Sequence, residues 1–338
     1  MNEMELKHTK IKYIAIRLIK AILLILVIIS LNFFLVHFMP GDPLIHILGE
    51  EEYFSLSMNY PDILEEVRAQ YSLNGNIFEQ YIRYLINTLT LKFGTSFITG
   101  ESAVTRVFFR MKWTLFLSII AIFLSAIIGG FLGVVAGYHK GGKFDSILTA
   151  ISLFLETVPT NCLALIFLVV FAFKLRWFPV GGMTSGGTDG INKLIDIMNH
   201  MILPLSVLVI FKTSSNFLLM KSFVSQIRND DYILVALSKG LSKSKVLFRH
   251  VLINVMVPYI TVLCIQFGHI FSGAMMVEVV FSWKGMGTLI YESVIKKDYP
   301  TVQLCFLIIT ICVILFNFIA DVLCAYIDNR IGDSMRNE

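Results

Sequence analysis

Charge is scarce in this chain. Lys, Arg, Asp and Glu make up 15% of its 338 residues and hydrophobic types 56%, whereas a soluble domain carries roughly 25% charge and 45–50% apolar residues. That deficit argues against a water-soluble globule. The net charge of +4 is too small to argue for a nucleic-acid partner. Cysteine and histidine lack the groupings that site chemistry needs. The five cysteines (Cys162, Cys264, Cys305, Cys312, Cys324) lie in apolar runs without ligand spacing, and an odd number there is no disulfide framework. They read as small core residues. The seven histidines show no ligand spacing either, which argues against an intramembrane enzyme built on a metal or a convergent nucleophile. A complete phosphate-binding loop is also missing. Gly137 to Lys143 mimics one, but Phe144 stands where a magnesium-binding hydroxyl is required and no strand precedes the glycines. The chain itself is not expected to bind ATP. Nor does it divide into similar halves, as secondary-transporter folds often do, so a proton-coupled secondary transporter is a distant alternative.

What the chain does have is long apolar runs, near residues 21–39, 114–137, 147–173, 201–220, 257–280 and 303–326. Lipid offers a backbone no hydrogen bonds, so runs of this length are expected to be helices, and six of them cross a bilayer. The expected fold class is an all-α polytopic membrane protein. The first run follows Lys7, Lys10, Lys12, Arg17 and Lys20 like a signal peptide, but it is too long for one and ends in His37-Phe38-Met39-Pro40 without a small-residue cleavage site. It is expected to stay as a transmembrane helix.

Six crossings put both termini on one side. That side, residues 1–20, 138–145, 221–250 and 325–338, holds 15 Lys/Arg in 72 residues; the other, 40–113, 174–200 and 282–302, holds 12 in 122. The twofold bias predicts cytoplasmic termini in a cell membrane. The expected layout is a cytoplasmic N-terminus and first helix over 1–39 and an extracytoplasmic segment over 40–113. A five-helix core over 114–326 with a cytoplasmic loop at 221–250 follows, and then a tail at 327–338. The 40–113 segment opens with Pro40-Gly41-Asp42-Pro43, has helical spacing at Ile63, Val67 and Tyr71, and reads as a small folded cap.

Gly129, Gly133 and Gly137 recur every fourth residue in the second span, a spacing that lets helices approach closely. Four charges fall inside spans: Glu156, Lys212, Glu278 and Asp321. Such charges are costly and mark either structural pairs or a substrate path. Glu156 stands three residues before Pro159, where a helix break exposes backbone groups; Glu278 lies near the outer end of its helix, within reach of water; Lys212 can snorkel or face the bundle interior. Glu156, Lys212 and Glu278 are the candidates for a substrate path.

The 221–250 loop is the most informative stretch. Two short helical pieces meet at Gly240, which suits a helix end with a left-handed residue, and Ser242 and Ser244 are candidate caps. Six Lys/Arg against two Asp make it basic, yet Val235, Leu237, Leu241, Val246, Leu247 and Phe248 make it apolar. Such a surface indicates a docking partner on the cytoplasmic face, with a membrane-surface helix as the alternative.

Residues Asp231-Tyr232-Ile233-Leu234-Val235-Ala236-Leu237-Ser238-Lys239-Gly240-Leu241, followed by His250, Leu252, Asn254 and Pro258, resemble the EAA motif of binding-protein-dependent ABC importer permeases. Their form is similar to the oligopeptide/dipeptide/nickel branch. Phe34 to Pro43 resembles that branch's first-helix ending in P-G-D-P, and Trp177-Phe178-Pro179-Val180-Gly181-Gly182 its W-[LF]-P-x-x-G turn. Phe281-Ser282-Trp283-Lys284-Gly285-Met286-Gly287 with Asp298-Tyr299-Pro300 resembles its F-S-W-P-G-L-G…D-Y-P signature. The matches run from residue 34 to 300. Departures are Leu234 at the motif's usual glutamate, Val235 at its first alanine, Lys284 for a proline, and Asn329 for the proline of a C-terminal D-P-R.

The resemblance implies a type I ABC importer permease fold, a MetI-like core with six transmembrane helices in all, of the B-type that pairs with a second, C-type permease. It implies two cytoplasmic ABC ATPase subunits that bind ATP and Mg and dock on the loop. Asp231, Tyr232, Ala236, Lys239, Gly240, Leu241, His250 and Asn254 are then the coupling residues. An extracytoplasmic solute-binding protein is implied at the outer segments. The implied activity is import of short peptides by alternating access, with nickel or a metal chelate as the alternative cargo, no cofactor in this chain and no enzyme activity of its own.

Overall fold

A computed structural model describes residues 3–37, 43–70, 74–90, 92–96, 98–187, 189–296 and 298–327. The Pro40-Gly41-Asp42 turn, Tyr71, Asn329 and the tail from 328 lie outside these. Among the described residues the structure is built of helices and turns, with one isolated bridge between Thr95 and Ser102.

In chain order the helices are α1 (Glu3–His37), α2 (Pro43–Leu48), α3 (Glu50–Asn59), α4 (Pro61–Gln70), α5 (Ile77–Leu89), α6 (Ala103–Tyr138), α7 (Lys143–Thr157) and α8 (Thr160–Phe167). A π-helical turn, Leu168–Lys174, extends α8. Then come α9 (Gly190–Ile227), α10 (Asp231–Ser238) and α11 (Lys243–Val246), the last joined through a second π turn, Leu247–Val251, to α12 (Leu252–Gly268). The chain closes with α13 (Ile270–Val280), α14 (Met286–Ile295) and α15 (Tyr299–Ile327). Five stretches are long and apolar enough to cross a membrane: Ala15–Phe34, α6, α9, Lys243–Gly268 and Pro300–Val322. The pair formed by α7 and α8 with its π turn makes a sixth, if its 100° bend lies within one crossing.

That bend has a local cause. Val158, held extended at φ −82 and ψ 123, precedes Pro159, whose ring crowds a helical neighbour on its N-terminal side. Pro159 then opens α8, its carbonyl accepting from the amides of Cys162 and Leu163. The expected span at 257–280 differs from what is seen. α12 stops at Gly268, where the Asn317 side chain of α15 occupies the place of a Cβ, and α13 starts anew after His269. The 221–250 loop is also shorter than expected. The buried face of α9 continues through Phe217, Met220 and Val224, at helical spacing, so α9 persists to Ile227, and α10 and α11 follow at Asp231 and Lys243.

The chain forms two compact units. In one, α9 packs on α7, α8, α12 and α13 around a core that includes Leu117, Leu163, Met201, Val207, Val277, Phe281 and Trp283. The glycine series serves close packing. A Cβ at Gly129, Gly133 or Gly137 would stand 2.7–2.8 Å from Thr213 O, Met220 Cβ or Lys221 O of α9, closer than any real side chain sits. Arg17 of α1 pairs with Asp321 of α15 at 3.1 Å, so this intramembrane acid is a structural partner.

The other unit comprises Ile19–Lys112 and Leu289–Cys312. Ser30 and Tyr81 hydroxyls lie 2.6 Å apart and the Phe33 and Tyr81 rings 5.3 Å apart, which ties α5 to α1. Asp298, fully buried, accepts from Ser96 Oγ at 2.5 Å, Thr301 Oγ1 at 2.7 Å and Arg106 at 3.2 Å. A buried carboxylate needs this many donors, so the acid of the D-Y-P signature anchors the start of α15.

Candidate functional site

The connector between α9 and α12 is a folded element with two faces. Asp231 opens α10, where an acid suits the helix dipole. Ile233 and Ala236 turn inward onto Met220 and Val224 of α9 and onto Val246, Val251, Val255 and Tyr259. On the other face Tyr232 and Leu237 are exposed, Leu234 is 56% and Val235 52% exposed, and Phe248 further on is 68% exposed. α10 ends at Lys239, and Gly240 follows with φ +80, the left-handed turn expected at this position. Ser242 caps α11, accepting from the Lys245 amide at 3.4 Å; Ser244 caps nothing. Asn254 Nδ2 donates to the Tyr232 hydroxyl at 3.1 Å and to His250 O at 2.7 Å, so three of the predicted residues hold one another across 22 positions. Lys239 and Asp231 are exposed, and Leu241 and His250 half-buried.

Ala236 is only 7% exposed and Val246 is fully buried. Both belong to the inner face, because that face must seal the connector against α9 and α12. The residues that sequence reasoning missed are Tyr138 and Arg228. The Tyr138 hydroxyl donates to Lys243 O at 3.0 Å, and Arg228 donates to Tyr138 O at 2.6 Å with its guanidinium over the ring. The end of α6 thereby grips both ends of the connector. No local spacing pairs positions 90 residues apart.

The sequence that mimics a phosphate loop is occupied by its own chain. Gly141, at φ +89, gives its amide to Asp145 Oδ2 at 3.0 Å, and Asp145 pairs with Lys221 of α9, which also donates to Thr149 at 2.6 Å. The carboxylate sits where an anion would have to bind.

Of the intramembrane charges expected on a substrate path, Glu156 is exposed just before the bend and Lys212 is half-buried in α9. Glu278 is corrected: it neither reaches water nor lines an open path. It is fully buried, accepting from Thr114 Oγ1 at 2.6 Å and from the Gly287 amide at 2.7 Å. Thr114 Oγ1 in turn accepts from the Met286 amide at 2.7 Å. A Cβ at Gly285 would fall on the Glu278 carboxylate, and one at Gly287 would lie 2.6 Å from Met275 Cα. Both glycines of the F-S-W-x-G-x-G signature are therefore dictated by close approach.

Comparison with known proteins agrees with this architecture. Residues 129–333 match the family described as binding-protein-dependent transport system inner membrane component, and residues 10–118 match its N-terminal membrane component. The oligopeptide transport system permease protein AppB of Bacillus subtilis is 31% identical over 324 residues, covering 94% of this chain and 98% of that one. The di/tripeptide transport system permease protein DppB of Pseudomonas aeruginosa is 29% identical, covering 89% and 93%. The glutathione transport system permease protein GsiC of Escherichia coli is 29% identical, covering 95% and 99%. The chain belongs to the binding-protein-dependent transport system inner membrane components, with the type I ABC importer permease fold. It is a multi-pass membrane subunit of an ABC importer, one part of a larger system, and a permease instead of an enzyme.

Proposed function

We propose that this permease imports short peptides, with both termini and the α9–α12 connector in the cytoplasm. Two ATPase subunits, which bind ATP and Mg, dock on the exposed face of α10 and on Phe248. A second, C-type permease completes the pore, and an extracytoplasmic solute-binding protein delivers cargo to the segment between α1 and α6. Closure of the ATPases moves the connector as a unit and switches the bundle between inward and outward access. The cargo is inferred from the relatives, whose names specify oligopeptides, di/tripeptides and glutathione.

The observation that carries the docking site is the division of α10 into a sealed face and an open apolar one. An apolar cluster left in water on a helix whose other face is already packed is what a partner groove takes up. Leu234→Asp with Val235→Asp leaves the inner face untouched, so membrane abundance is expected to stay normal. Uptake of a labelled dipeptide by the complete complex should fall about tenfold or more, the effect of about 1.4 kcal/mol of lost contact. Stimulation of ATPase activity by loaded binding protein should fall in parallel. Wild-type uptake would overturn the docking site.

A further inference from the structure

Between Asp196 and Lys221, Lys212 is the one formal charge of α9. At 1.5 Å per residue those neighbours are about 24 Å and 14 Å away along the axis, farther than a four-carbon stem extends. A cation inside a membrane-length helix calls for a partner. Among the described residues no carboxylate lies within ion-pair distance of Lys212. The other intramembrane acids are placed elsewhere: Glu278 with Thr114 and Gly287, Asp321 with Arg17, and Glu156 exposed at the α7–α8 bend.

The ammonium lies beside a glycine of α13. Its Nζ lies 3.9 Å from where a Cβ would project at Gly273 of α13, and nothing else stands within 4 Å of that point. Gly273 itself is exposed, as is Met276 one turn on. The missing side chain at 273 leaves space beside the ammonium.

We propose that Lys212 binds the terminal carboxylate of a peptide in transit, with Gly273 keeping the approach clear. The inference rests on the peptide-importer reading above. Every peptide with a free C-terminus is anionic there at neutral pH, since the α-carboxyl has a pKa of about 3.5. An ammonium takes such a group through charge-assisted hydrogen bonds.

The test compares import of one labelled tripeptide as the free acid and as the C-terminal amide, in cells carrying the complete transporter. In Lys212→Met, acid uptake is expected to fall about tenfold or more while amide uptake stays at the wild-type level. Lys212→Arg should restore acid uptake. Gly273→Leu, which finds open space and no backbone strain, should keep the protein in the membrane and reproduce the loss by covering the ammonium. Equal loss of acid and amide in Lys212→Met would assign Lys212 to an ion pair with another subunit and overturn the proposal, as would an unchanged acid-to-amide ratio. Failure of the wild-type complex to import either peptide would instead overturn the peptide reading itself.

Discussion

The connector between α9 and α12 and the turn between α13 and α14 both carry large apolar side chains, yet they are built in opposite senses. In the connector, large side chains at 234, 235 and 237 are exposed, and Ile233 and Ala236 of α10 are buried. In the turn, Phe281, Trp283, Met286 and Thr288 are all buried around a buried Glu278. Trp283 meets Trp113 edge-on, with centroids 6.1 Å apart. A signature of the first kind offers a surface; one of the second kind locks a chain reversal. Both carry large apolar side chains, and the difference lies in which of them find partners within the chain.

The largest expected effect comes from breaking the lock. Glu278→Leu leaves the buried Gly287 amide without its acceptor and removes the acceptor for the Thr114 hydroxyl. Each such loss costs about 1–3 kcal/mol, and the sum is a large part of the stability of a typical domain. Membrane abundance and the thermal midpoint in detergent should both drop. Normal values for both would mean that the turn is held by other contacts.

Ala236→Glu sharpens the contrast between the two faces of α10. It forces a carboxylate into the inner cluster, at a cost of about 1–3 kcal/mol when no partner is provided. The expected result is a lower thermal midpoint and less protein in the membrane, unlike the paired substitution at Leu234 and Val235. Full abundance with uptake abolished would place Ala236 at the partner surface and break the comparison.

Gly240→Val is the mildest. Space around a Cβ is open, so the cost is backbone strain at φ +80, about 1–2 kcal/mol. Asn tolerates this region better than a β-branched residue, so Gly240→Asn should keep more uptake and a higher thermal midpoint than Gly240→Val. Equal behaviour of the two would remove the backbone argument.

Much of the helical layout was legible in the residues. The apolar runs were read as helices because hydrocarbon leaves a backbone no other way to pair. Pro159 marks a break, and Gly240 a left-handed helix end, by residue type alone. The boundaries around 221–250 and 257–280 moved because helix persists wherever an apolar face still has a neighbour, as at Val224, and stops where a neighbour intrudes, as Asn317 does at Gly268. Neither condition is written in the local spacing.

Local order along the chain determined the class of the molecule, its membrane-length helices, the tight glycine face of α6 and the turn at Gly240. Each follows from residue type or from a period of a few residues. Only the tertiary structure decided that Ala236 faces inward, that Glu278 is buried on Thr114 and Gly287, that Asp145 accepts from Gly141, and that Lys212 has Gly273 beside it and, among the described residues, no acid within ion-pair distance. Those outcomes depend on which groups meet across tens to hundreds of residues, as Thr114 and Glu278 do over 164. A buried polar group takes its role from the partner it meets, and sequence proximity does not name that partner.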